Sequence, residues 1–338
     1  MGLMRRQIKQ AQGRVSSKGA GSNEALEAPR GGKERANVDR MLKAIERSDL
    51  KEAEGICNLL RNDAGLLGET WAACGKVMQR LGHHSEAIEC LQSALAVGGG
   101  SGALHKAAGL SCLETGEYAG AISHLNAALD LGVESGDVLW MIGKAFVLWG
   151  RPIEADPLLR RAIRKNSEDA EAYFWLGKAV HSRGLLDEAL SHYKAAMERM
   201  PGNIDTYLEQ ADVLVDLGRF EDALVRYQEA IEMRPRDATL WTRSGMCLRA
   251  RGLLREAQHD CRNAITFNPG SPEALVNLGK VEADIGDGKM AAALFEKALV
   301  ARPGLHSAHR LTHLRAITAG GGGFEGYFGV RSSIKCRV

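Results

Sequence analysis

A chain of 338 residues with 45% apolar and 25% charged side chains can bury a substantial core, and its formal net charge of +2 gives no sign of a polyanion partner. No run approaches the roughly 18 apolar residues that a membrane-spanning helix needs. Seven cysteines, an odd count without C-x-x-C spacing, argue against a disulfide framework or structural zinc and for buried, reduced thiols in a reducing compartment.

Residues 1–33 carry Arg5, Arg6, Lys9, Arg14 and Lys18 ahead of the first acid, Glu24, among Gly, Ser and Ala. The composition predicts a basic, disordered leader and a cytoplasmic chain. Met4, Ile8, Ala11 and Val15 could line one side of a short basic helix, so membrane-surface or organelle targeting stands as the alternative.

From residue 34 one pattern returns every 34 positions without insertion or deletion, with starts at 34, 68, 102, 136, 170, 204, 238 and 272. Residues 170–203 show it most cleanly: Tyr173, Leu176, Gly177 and Val180 are positions 4, 7, 8 and 11, an apolar helical stripe, and Ala189, Tyr193 and Ala196 are positions 20, 24 and 27, a second stripe after the Gly184 break. The unit is a helix–turn–helix, with small residues where two helices must approach closely. Position 20 is Ala in all eight copies, position 15 is Gly in seven, and Pro201, Pro235, Pro269 and Pro303 close the later units. The first copy is the weakest, with Met41 in place of Gly at position 8 and Leu60 in place of Ala at position 27.

On these residues the chain resembles the tetratricopeptide repeat family over residues 34–305. The resemblance implies an all-α, right-handed superhelical solenoid of antiparallel helix pairs, whose first helices line a concave groove that binds segments of other proteins. Residues 306–318 are expected to form a C-terminal capping helix, and 319–338 a Gly-rich flexible tail. Pro157, at position 22 inside the second helix of repeat four, should kink or delay that helix, and the run from Gly98 to Gly102 should act as a flexible joint.

Within that groove, positions 2, 5, 6, 9, 12 and 13 of each first helix resemble the ligand-facing set of the family. Lys76, Lys144, Lys178 and Lys280 occupy position 9 and Lys106 position 5, interleaved with Trp140 and Phe174 at position 5 of repeats four and five. Exposed aromatics outside the packing set mark contact surfaces. Repeat six instead carries Asp205, Glu209, Asp212 and Asp216, one acidic stripe. Like charges at this spacing repel, so the stripe needs either cross-repeat partners such as Lys178, Arg243 and Arg249 or a basic ligand. His306, His309 and His313 share one arc of the expected cap helix and form a weak metal candidate, with a packing role as the alternative.

No enzyme signature survives: Gly98–Gly102 follows a helix and lacks the Gly-Lys-Ser/Thr of a phosphate loop. The sequence therefore predicts a non-enzymatic interaction scaffold that needs no cofactor and binds a protein segment of mixed charge rather than nucleic acid. The alternative is a substrate-docking array of the kind that precedes catalytic domains in glycosyltransferases and sulfotransferases, in which case the catalytic domain lies outside this chain.

Overall fold

The structure, a computed structural model, describes residues 30–303 apart from 48, 62–66, 99 and 134. Sixteen helices and no strand occur among the described residues. They are α1 (Arg30–Glu46), α2 (Leu50–Arg61), α3 (Gly68–Arg80), α4 (His84–Gly98), α5 (Gly102–Glu114), α6 (Tyr118–Asp130), α7 (Gly136–Leu148) and α8 (Pro152–Lys165). There follow α9 (Ala170–Ser182), α10 (Leu186–Arg199), α11 (Ile204–Asp216), α12 (Phe220–Met233), α13 (Ala238–Arg251), α14 (Leu254–Phe267), α15 (Pro272–Ile285) and α16 (Gly288–Ala301). Each odd-numbered helix is the first, or A, helix of a repeat and each even-numbered one the second, B. α1 begins four residues before the expected start at 34, taking 30–33 from the anticipated leader. The expected cap at 306–318 and the tail at 319–338 lie outside the described residues, as does the rest of the leader.

The helices fall into two compact units divided after Ala179. In both, the same three contacts generate the pair. The position-8 glycine of the A helix leaves no room for a side chain: a Cβ on Gly109 would lie 2.6 Å from Leu125 Cγ, on Gly143 2.5 Å from Leu159 Cγ, and on Gly279 2.5 Å from Phe295 Cε1. Each of those partners is position 24 of the same repeat, so a small residue at one position and a large one at the other are a single packing decision. The position-20 alanines are buried throughout. At position 15 all seven glycines adopt positive φ, from +73° at Gly218 to +104° at Gly286, which reverses the chain after the A helix with no Cβ penalty. Residues just before the A helices cap them: Ser101 and Ser271 accept from Leu104 and Ala274 N–H, and Asn203 and Asp237 from Asp205 and Thr239 N–H.

The core is a chain of small clusters, each shared by consecutive helices. Met41 of repeat one, fully buried where six of the other seven repeats have Gly and repeat six has Ala211, shares a core cluster with Cys57, Cys74, Val77 and Cys90. Burial pushes the Cys90 and Cys112 thiols up to about 11 and Cys261 to about 12, and contact with Cys74 together with burial raises Cys57. These thiols pack as small apolar groups and are protonated at neutral pH.

One local expectation is corrected. α8 runs its full 14 residues in the common register despite Pro157, so the helix is not delayed; Pro152 opens it at the first turn, where a missing N–H costs nothing. The expected joint over 98–102 includes residue 99, which lies outside the described residues. Gly98 ends α4 against Gly68, whose Cβ would sit 2.8 Å from the Gly98 Cα, and a Cβ on Gly102 would meet Val133 at 2.3 Å. Ile88 of repeat two also shares one core cluster with Cys112 and Leu125 of repeat three, so the repeats are coupled through packing.

Candidate functional site: the face of the A helices

In the first unit Lys144, Lys178 and Phe174 converge on a residue that sequence reasoning passed over. Trp175 is 8% exposed, with Lys144 Nζ 5.4 Å and Lys178 Nζ 5.7 Å from its ring centroid. Its indole N–H donates to Glu171 Oε2 at 3.0 Å, which fixes the ring along α9. Phe174 meets it edge-on, centroids 5.3 Å apart, and also lies under Lys178 at 5.7 Å. Phe174 is only 7% exposed, so the expectation of an exposed ring there is corrected: the adjacent Trp175, at position 6, is the ring that Lys144 and Lys178 share, and they cover it. The signal was present in the sequence, since position 6 carries Trp in repeat five alone. A cation over an aromatic face is worth about 0.5–1 kcal/mol when exposed and about 2 when dry, so two ammonium groups on one indole form a fixed, positively charged apolar seat.

The other predicted lysines have their own surroundings. Lys144 also lies 3.4 Å from Glu114 Oε1, and Lys106 3.3 Å from Asp137 Oδ2, each pair joining A helices of successive repeats. Lys76 is exposed and Lys280 half-buried. Trp140 is half-buried against the cluster holding Leu139 and Ala162. Burial raises the Asp169 carboxyl against the pull of the Ala172 and Glu171 backbone amides.

In the second unit the acidic stripe is largely consumed by the scaffold. Asp212 accepts from Tyr227 Oη–H at 2.7 Å through one oxygen and pairs with Arg243 of repeat seven through the other. Asp216 Oδ2 lies 3.0 Å from His181 Nε2. Glu209 bears on Tyr193, a phenol whose pKa burial drives up first and the Glu209 charge next. Asp205 sits exposed in the first turn of α11, where the helix dipole favours an acid. Of the cross-repeat partners expected in repeat seven, Arg243 does pair with the stripe, whereas Arg249 turns to Asp284 of repeat eight at 2.6 Å.

His306, His309 and His313 lie outside the described residues. Among the described residues no group of three or more His, Cys, Asp or Glu is placed to hold a metal ion, and no helix is long and apolar enough to cross a membrane.

Antiparallel helix pairs recurring every 34 residues, closed by small residues at positions 8, 20 and 27, define a helical-repeat protein of the interaction-scaffold class. The chain belongs to the tetratricopeptide repeat family: family models match residues 75–133, 141–204 and 248–306, and a second model matches 181–243. No curated protein sequence matches it. Among solved structures, the APC/C hetero-tetramer Cut9–Hcn1 aligns over 92% of this chain and 58% of its own at TM-score 0.59 and 13% identity. PilF of Pseudomonas aeruginosa aligns over 63% and 97% at TM-score 0.54 and 15% identity. The thermophilic repeat protein TTC0263 of Thermus thermophilus aligns over 54% and 100% at TM-score 0.47 and 24% identity. At these identities the first two speak for the fold alone.

Proposed function

We infer that this chain is a non-enzymatic scaffold that holds a segment of another protein along the concave face of its A helices, and that the acid-bearing part of a mixed-charge segment is recognised in repeats four and five. The observation that carries this reading is the Trp175 ring with Lys144 and Lys178 both over its face. A carboxylate entering there meets two ammonium groups, and an apolar neighbour on the same segment can replace the lysine stems against the indole.

The lysines are already partnered, so the magnitude of those contacts matters. Lys144–Glu114 and Lys106–Asp137 are single contacts at 3.4 and 3.3 Å whose acids are about half exposed. Pairs of this kind contribute about 0–1 kcal/mol, so a ligand carboxylate can displace the internal acid at little cost. Pull-down with the full chain tests the reading: a partner held through this face is lost from a Lys144→Glu/Lys178→Glu double variant that still melts like the parent. Retention of the partner by that variant would place its contact elsewhere.

A further inference from the structure

The eight repeats serve as an internal alignment, and repeat four departs from the others at its turn. Position 18, the second residue of the B helix, is Ile153 in repeat four and Lys, Ser, Ala, Asp, Glu, Arg or Lys in the other seven. Position 13 is Leu148 there and Glu, Arg, Ser, Asp or Ala elsewhere. Both side chains are exposed, Ile153 at 71% and Leu148 at 39%, and Trp149 between them is 44% exposed. Three large apolar side chains within six residues thus face water at one turn. Burying an exposed Ile or Leu is worth about 1.5–3 kcal/mol, so leaving all three outside gives up stabilisation that polar residues at these positions do not forgo.

The surroundings state what chemistry would cover them. Arg151 stacks between Phe146 and Trp149, 5.3 and 5.0 Å from their ring centroids, which sets a rigid cation inside the apolar patch. The two acids of α8 are engaged within the turn and helix, Glu154 by Arg151 at 2.8 Å and Asp156 by Arg160 at 2.5 Å. The exposed ionisable side chains of α8 are Arg161, Arg164 and Lys165, all basic. Ile153, Pro157, Arg161 and Arg164 follow i, i+4, i+8 and i+11 along one exposed face, which is apolar at its start and cationic at its end.

We propose that this turn and the outer face of α8 are a second docking surface, for a partner segment whose aliphatic or aromatic anchor covers Ile153, Trp149 and Leu148 and whose following carboxylates run along Arg161 and Arg164. It is centred on the turn and the B helix and meets the A-helix face only at Leu148, the last residue of α7, so reversing Lys144 and Lys178 tests the groove separately from it. Charge complementarity selects the occupant: a basic or neutral apolar segment would meet the same anchor but be repelled or left unpaired beyond it.

The test selects, from a random peptide library displayed against the full chain, sequences long enough to span the 14-residue helix α8. Binding of the recovered peptides is then measured to Ile153→Asp, to Arg161→Glu/Arg164→Glu and to Lys144→Glu/Lys178→Glu chains. An acid in the first helical turn is favourable and Ile153 is exposed, so Ile153→Asp leaves the fold intact. The expected result is a peptide class with apolar residues followed by Asp or Glu, weakened about tenfold or more by Ile153→Asp and by the arginine reversals, with a reduced salt dependence in the latter, and unaffected by the lysine reversals. Failure to recover such a class, or equal binding to the Ile153→Asp chain, overturns the proposal. So does concentration-dependent self-association of the wild-type chain in sedimentation that Ile153→Asp abolishes, because the patch would then be covered by a second copy.

Discussion

The A-helix faces of repeats three to five and of repeats six to eight use the same repeat positions and put them to different ends. In the former, lysines reach neighbouring acids through single contacts of 3.3–3.4 Å and two of them share one indole. In the latter, the contacts are shorter, 2.6 Å for the Arg249–Asp284 ion pair and 3.0 Å for His181 to Asp216, and Asp212 is held on both oxygens. A stripe of like charge on one helix is therefore not by itself a ligand surface: in repeat six most of it ties adjacent repeats together. What separates exchangeable from structural charge is the number and burial of donors on each acid, which no single helix displays.

That difference can be broken by substitutions on each side. Reversing Lys144 and Lys178 to Glu should weaken a bound acidic segment about thirtyfold or more, roughly 2 kcal/mol, while the melting free energy moves by less than about 1 kcal/mol. Calorimetric titration and thermal unfolding of the same samples report both. Asp212→Ala should do the opposite, destabilising the fold by about 1–3 kcal/mol because the buried Tyr227 hydroxyl loses its acceptor, with segment binding unchanged. If Asp212→Ala abolished binding without a stability loss, the two faces would have exchanged roles. Arg249→Ala, at a pair that is partly exposed on both sides, should cost only about 0.2–1 kcal/mol by urea unfolding.

The smallest expected effect concerns pH. His124 faces His105 with their Nδ1 atoms 3.1 Å apart, and burial together with the His105 charge lowers its pKa. The unfolded chain then binds more protons than the folded one as pH falls below the ordinary histidine value, so this contribution to stability is present above about pH 6.5 and is lost on acidification. Between pH 7 and pH 5 the wild-type melting temperature should fall further than that of His124→Gln.

The fold was legible because each repeat states its packing twice: Gly143 is small where Leu159 is large, and the same pairing recurs at Gly109 with Leu125. The lysine seat was legible only to within one residue. Phe174 and Trp175 are adjacent, about 100° apart on the helix, and position alone does not say which ring the neighbouring helix's lysine reaches. The fate of the acidic stripe was half legible, since Arg243 and Arg249 carry the same charge at similar positions and only side-chain reach decides that one meets Asp212 and the other Asp284. Pro157 misled because its effect depends on place. The carbonyl it leaves unbonded belongs to Ile153, in the exposed first turn where water can serve it.

Hydrogen exchange on the full chain, with and without an acidic segment recovered by pull-down, tests the central claim most directly. The account predicts new protection centred on α7 and α9, Gly136–Leu148 and Ala170–Ser182, which disappears in the Lys144→Glu/Lys178→Glu chain. Protection confined to α11 and α13, Ile204–Asp216 and Ala238–Arg251, would contradict it, because the acid-rich face would then be the binding surface and the lysine seat part of the scaffold.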